Sequence, residues 1–135
     1  MTHLLDTSAL LAHYLAEPGA ERVQALFEDE AVVAGASILS LYEFELRLHQ
    51  LGADAATRAT ELNRYRALLH EVVDVTEAVR GEAIRLRTSA TTHVAAMDVL
   101  IAASASHGNA TLVHRDPHFA AIPANLLKQE VLPSK

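Results

Sequence analysis

The 135-residue chain has no cysteine, which excludes disulfides, zinc–thiolate centres and a cysteine nucleophile together. Aromatic residues are scarce, at 4%, although half of the residues are apolar; Ala and Leu supply the difference, and that composition suits closely packed helices. No apolar run approaches the roughly 20 residues needed to span a bilayer. Met1-Thr2-His3 carries no basic charge cluster, and Asp6 interrupts the apolar residues around it, so the amino end does not read as a signal peptide. A cytoplasmic protein with no membrane partner is the expectation. Positive charge is also short: a net charge of −6 argues against a general nucleic-acid-binding surface, an argument that weakens wherever acids serve as metal ligands. There is no repeat, low-complexity tract or linker, and the length fits one domain over residues 1–135 with a real core.

What is present is an alternation of short apolar runs with helical stretches. Residues 2–5 read as a strand and 6–15 as a helix that ends before Glu17-Pro18, since the residue before proline avoids helical geometry. A second helical stretch covers 19–29, with Val23, Leu26 and Phe27 at helical spacing, and residues 31–34 form a short buried strand bounded by Gly35. Ser37 can cap a helix to about Gln50, stopped by Gly52. Residues 54–69 are helical, 71–75 a strand, and Thr76 can cap a helix through Arg87. After the polar stretch 88–96 come a helix over 98–107, a strand over 111–113, the turn Asp116-Pro117 and a last strand over 129–132. Strands that are continuously apolar and alternate with helices predict an α/β fold with a parallel sheet covered on both faces. The six arginines between positions 58 and 87 stand among five acids, the pattern of solvated helix faces laced with ion pairs.

Four acids lie at joints of this scheme. Asp6 follows the first strand, Glu43 lies in the helix after the second, and Asp116 lies just past the strand at 111–113. In open parallel sheets ligands bind beyond the carboxyl ends of the strands, so topology puts these three on one edge; Asp98 opens the helix that leads into 111–113 and is not placed by that rule. Each acid has a purely structural reading. Asp6 and Asp98 can be helix N-caps, and Asp116-Pro117 is a common turn opening. Ser40 and Glu43 match a capping box, and Glu43 can pair with Arg47. On a helical wheel Glu45 faces the apolar side better than Glu43 does. If the carboxylates do converge, their mutual repulsion calls for a cation, Mg2+ or Mn2+. His114 and His118 flank Asp116, but with eight histidines in the chain that neighbourhood is no argument for a transition-metal site.

Four segments in order, Leu5-Asp6-Thr7-Ser8-Ala9-Leu10-Leu11, Ser37-Ile38-Leu39-Ser40-Leu41-Tyr42-Glu43, Met97-Asp98-Val99-Leu100-Ile101-Ala102-Ala103 and Leu112-Val113-His114-Arg115-Asp116-Pro117-His118-Phe119, resemble the PIN-domain family, specifically the VapC-type toxins of bacterial toxin–antitoxin pairs. The resemblance implies a three-layer α/β/α domain around a central, mainly parallel sheet of four or five short strands. It selects Glu43 over Glu45, because Ser37 stands six residues before it, and it brings Asp98 beside the other three acids. One position departs from the family pattern: His114 stands where a Thr is usual.

The implied activity is a Mg2+- or Mn2+-dependent endoribonuclease that hydrolyses RNA phosphodiester bonds. Asp6 and Asp98 would be the main metal ligands, with Glu43 and Asp116 holding water or a second ion, and Thr7, Ser8 and His114 in support. The resemblance further implies a homodimer and a small antitoxin partner that covers the acidic pocket with a basic side chain, and it lets promoter DNA bind only through that antitoxin. A catalytically inactive PIN-like interaction module is the alternative.

Overall fold

The computed structural model describes residues Met1–Lys135. In chain order the elements are β1 (His3–Leu5), α1 (Thr7–Tyr14), α2 (Ala20–Glu28), β2 (Ala34–Ser37), α3 (Ile38–Gln50), α4 (Ala55–Leu68), β3 (Glu71–Val73), α5 (Glu77–Ser89), α6 (Ala96–His107), β4 (Thr111–His114), a 3-10 turn (Pro117–Ala121) and β5 (Gln129–Val131). The five strands form one sheet in the order β3-β2-β1-β4-β5, and every pairing is parallel. The sheet is therefore wholly rather than mainly parallel. No helix is long and apolar enough to cross a membrane.

The two faces of the sheet carry separate cores because consecutive strand residues point to opposite sides. Leu4 and Leu112 face α5 and α6, in a cluster with Val79, Leu86, Val99, Ile101 and Phe119. Leu5 and Val113 face α1–α4, in a cluster with Leu10, Leu26, Phe44, Leu48 and Tyr65. This is the three-layer arrangement that continuous apolar strands predict.

Element ends follow local chemistry. Asp54 caps α4 by accepting from the Thr57 amide, and Thr76 caps α5 by accepting from the Val79 amide. Gly52, just past α3, takes a φ of +94°, a conformation that costs glycine little. The arginines of the middle region are largely consumed by neighbours: Arg64, Arg80 and Arg85 pair with Glu61, Glu77 and Glu82 three residues earlier, and Arg58 reaches across to Glu45.

One strand lies elsewhere than its apolar run suggests. Residues 31–34 are not the second strand; β2 begins at Ala34 and runs to Ser37. Asp29 is the cause, since its side chain accepts from the Ala31 amide and its carbonyl from the Val32 amide, so the chain is still turning where Val32 and Val33 invite a strand. Gly35 does not bound the strand but sits within it, paired with Leu4 and Glu71. A Cβ there would collide with Met1 Sδ and come within 3.3 Å of the Glu71 carbonyl oxygen. Ser37 then serves twice, as last strand residue and as N-cap of α3 through the Leu39 amide.

Two glycine substitutions should consequently differ in sign. Gly81 lies inside α5 with open space where a Cβ would stand, so Gly81→Ala should stabilise the protein by about 0.5–1 kcal/mol. Gly35→Ala should destabilise it by about 1 kcal/mol or more through overpacking, because the Met1 side chain must leave its place and the Glu71 strand must give by a few tenths of an ångström. Urea denaturation of both variants measures the contrast.

Candidate active site

The strand order changes direction at β1: from β1 the chain proceeds outward to β2 and β3 on one side, then returns to add β4 and β5 on the other. The crevice outside the carboxyl ends of β1 and β4 lies at that reversal, where open parallel sheets bind ligands. Asp6 follows β1 directly, and Asp116 lies two residues past β4. The two strand ends are tied together, the Asp6 amide donating to Val113 O at 3.0 Å.

Asp6 is the N-cap of α1, as its local sequence allows, and is 4% exposed. The cap does not use up the carboxylate. Both the Ser8 amide (3.0 Å) and the Ser8 hydroxyl (2.5 Å) donate to Oδ2, which leaves Oδ1 free of hydrogen bonds. Glu43 shows the same division. It lies one turn inside α3, whose cap is Ser37, so the capping box with Ser40 does not form. Its Oε1 accepts the Thr7 hydroxyl at 2.6 Å, and Oε2 is free. Asp116 accepts from the His118 amide at 2.9 Å through Oδ1, with the His118 ring Nδ1 2.9 Å from the same oxygen, leaving Oδ2.

Asp98 differs from the expectation that it opens its helix. The helix α6 starts at Ala96, Ala95 occupies the cap position without a side-chain bond, and Asp98 lies in the first turn. Its carboxylate accepts no hydrogen bond from the protein, so the capping explanation falls away. Glu45, the rival to Glu43, is held by Arg58 at 3.1 Å on the far side of α3.

Electrostatics single out Asp6 and Asp98. Burial pushes the Asp6 carboxyl up to about 6; the Ser8 bonds oppose this, and the charges of Glu43 and Asp116 add to it. Asp98 also rises to about 6, first through burial, then through the charges of Asp6, Asp116 and Glu43, with His118 working the other way. No Lys or Arg pairs with any of the four, whereas Glu17, Glu45, Glu61, Glu77, Glu82 and Glu130 all have such a partner. The protein gathers four carboxylates and withholds the cation.

The side chains do not stand as a closed set of three or more metal ligands. Their chemistry nevertheless fits a hard divalent cation, because the donors are all carboxylate oxygens, three of the acids are each anchored through one oxygen with the other left over, and the charge is uncompensated. Thr7 and Ser8 are not set up as nucleophiles, since their hydroxyl protons are committed to Glu43 and Asp6.

His114 does not enter the crevice. The ring is 2% exposed, packs on Phe119, and bonds to the Asp116 amide and to Gln129. Burial lowers its pKa, which keeps the ring neutral. Two participants escape a reading of sequence. Gln129 is reached only through the β4–β5 pairing. Arg115 donates its amide to Ser8 Oγ at 3.1 Å, and its guanidinium pairs with Glu17, a contact between residues almost a hundred positions apart.

A family model described as PIN domain matches residues 3–125. No curated protein matches the sequence. Among solved structures, the fold is similar to that of VapBC2 from Rickettsia felis bound to a DNA fragment from their promoter, with a TM-score of 0.78 and 22% identity over 98% of this chain and 100% of that chain. It is similar to FitAcB from Neisseria gonorrhoeae, at TM-score 0.72 and 24% identity over 96% of this chain and 97% of that chain. It is also similar to VapC20 from Mycobacterium tuberculosis, a Sarcin-Ricin loop cleaving toxin, at TM-score 0.71 and 20% identity over 98% of this chain and 100% of that chain. At these identities the likeness establishes the fold.

The raised Asp6 pKa sets a pH signature for the metal-free protein. Because the folded state holds this proton more tightly than the unfolded chain, the stability it contributes is full below about pH 4 and is lost as pH rises through about 6. By pH 7.5 the loss amounts to about 2–3 kcal/mol. Asp6→Asn keeps an oxygen for the cap and removes the charge. In EDTA its urea midpoint should exceed that of the wild type at pH 7.5, and the advantage should fade by pH 4.5.

Proposed function

Since the chain belongs to the PIN-domain family, we propose that it is a Mg2+- or Mn2+-dependent endoribonuclease and the toxin of a toxin–antitoxin pair. The observation that carries this reading is the division of labour at the carboxylates: Thr7, Ser8 and the His118 amide each anchor one oxygen of Glu43, Asp6 and Asp116, and the second oxygens and Asp98 remain unbonded. The structural cap Asp54 also bonds through one oxygen; what favours a cation here is that Asp6 is buried and that neighbouring acids raise both Asp6 and Asp98 with no lysine or arginine beside them.

In this reading Asp6 and Asp98 are the main ligands, and Glu43 and Asp116 hold water or a second ion. A bound divalent cation lowers the pKa of an attacking water and neutralises charge on the phosphoryl oxygens. The residues themselves do the positioning. Ser8 bridges the Asp6 carboxylate and the Arg115 amide, which holds the ends of β1 and β4 at a fixed spacing. Thr7 orients Glu43 from the first turn of α1.

Three features support the partner assignments. The solved relatives include VapBC and FitAB complexes with DNA, which favours a small antitoxin as partner and promoter DNA as a ligand of that complex. Four uncompensated carboxylates form a receptor for an Arg or Lys offered by such an antitoxin. Exposed apolar side chains, Tyr42 and Leu46 on α3 and Ile84 on α5, are available to the antitoxin or to a second copy in a homodimer. RNA as substrate is favoured by the relative described as a Sarcin-Ricin loop cleaving toxin. An inactive interaction module loses its one sequence argument, because His114 is turned away from the carboxylates.

Asp6→Asn and Asp98→Asn should each reduce Mn2+-dependent cleavage of an RNA substrate by about 100-fold or more while circular dichroism shows the fold retained. Undiminished cleavage by both variants would sink the assignment. Mn2+ should also raise the thermal midpoint of the wild type and leave that of the Asp6→Asn/Asp98→Asn double variant unchanged, because a ligand stabilises only the state that binds it.

A further inference from the structure

His114 ends β4, and every polar atom of its ring is in use. A backbone N–H can only donate, so the 3.1 Å contact from the Asp116 amide makes Nδ1 the bare nitrogen. Nε2 therefore carries the proton and donates to Gln129 Oε1 at 2.7 Å. The orientation of the Gln129 amide is fixed in turn, because its Nε2 donates to Phe119 O at 3.1 Å. One tautomer and one amide orientation satisfy the whole chain of bonds, and Phe119 closes it by packing its ring on the imidazole, centroids 4.6 Å apart.

The bond from residue i to the amide of i+2 recurs at this edge of the sheet. Asp6 makes it to Ser8, Ser37 to Leu39 and Asp116 to His118. In His114 an imidazole does what a short polar side chain does elsewhere. The turns 114→116 and 116→118 follow each other directly, so the backbone carrying the Asp116 carboxylate is held on both sides. The sheet ladder cannot do this: it ends where the Leu132 amide donates to His114 O, and the Arg115 amide is taken by Ser8. Without His114 Nδ1 the Asp116 amide has no partner.

We propose that His114 and Gln129 are positioning residues for the four-carboxylate site, through which the edge strand β5 sets the direction of Asp116. The inference rests on the functional reading above and extends it to two residues that touch neither substrate nor cation. A ring that merely fills the core would make a different prediction, because only a positioning role depends on the acceptor at Nδ1.

Three variants separate these roles. His114→Asn loses the ring but keeps an acceptor for the i+2 amide; His114→Leu loses both ring and acceptor; Gln129→Leu leaves the buried ring in place and removes its anchor. Mn2+ affinity by calorimetry, kcat and KM on an RNA oligonucleotide, and hydrogen exchange at the Asp116 amide are measured for each. His114→Leu should weaken Mn2+ binding and lower kcat by about 10-fold or more with KM unchanged, and Gln129→Leu, which keeps the Nδ1 acceptor, should lower Mn2+ affinity and kcat by a smaller factor. His114→Asn should restore most of both, and the Asp116 amide should exchange fast only in His114→Leu. Equal losses in the Asn and Leu variants of His114, following their thermal midpoints, would overturn the proposal, as would an Asp116 amide equally protected in both. A wild type that neither binds Mn2+ nor cleaves RNA would instead defeat the functional reading, and the exchange rates would still decide whether His114 holds the Asp116 turn.

Discussion

Like charges gathered without a counter-charge are the constraint around which this molecule is built. Asp6, Glu43, Asp98 and Asp116 lie near enough for charge to be felt among them without forming a closed ligand set; Asp6 and Asp98 are raised to about 6 by burial and by neighbouring acids, and no lysine or arginine pairs with any of the four. Elsewhere Glu17, Glu45, Glu61, Glu77, Glu82 and Glu130 each find an arginine. The fold thus tolerates a local electrostatic cost at the one place where side chains from β1, α3, α6 and the β4 turn come together. Hydrogen bonds hold the side chains there: Ser8 to Asp6, Thr7 to Glu43 across 36 positions of sequence, and the His118 amide to Asp116. Carboxylates raised by burial and by neighbouring acids are a pattern that recurs at functional sites.

Much of the architecture was legible because strands buried on both faces must be apolar throughout, and the runs around Leu4, Val72 and Leu112 stand out from the helical spacing between them. The failure at residues 31–34 has a physical origin. Val32 and Val33 carry strand propensity, but the Asp29 side chain offers the backbone a competing turn, and the true strand Ala34–Ser37 is made of small residues with no propensity signal. Its fitness lies in close approach to Met1 and Glu71, which only the assembled sheet reveals.

The site was legible in parts. Asp6 and Asp116 follow from strand ends alone. Glu43 and Glu45 are separated in space by which partner each finds, Thr7 or Arg58, and a helical wheel contains no information about either. Asp98 could be mistaken for a cap because sequence cannot say that α6 begins two residues earlier. His114 could be imagined inside the crevice as a titrating group, yet its neutral ring is turned to Gln129, a residue whose proximity depends on the β4–β5 register.

The position of β1 has a consequence for how the protein comes into being. The first strand in sequence is the central strand in space, with β2 on one side and, more than a hundred residues later, β4 on the other. Closing the second pairing requires a long loop to be ordered first, the kind of step that sets the folding rate of non-local topologies. A chain that has formed β1, β2 and α3 holds Asp6 and Glu43 but neither Asp98 nor Asp116. Pairing β4 with β1 therefore does two things at once: it completes the centre of the sheet and it brings Asp116 to the strand end that carries Asp6.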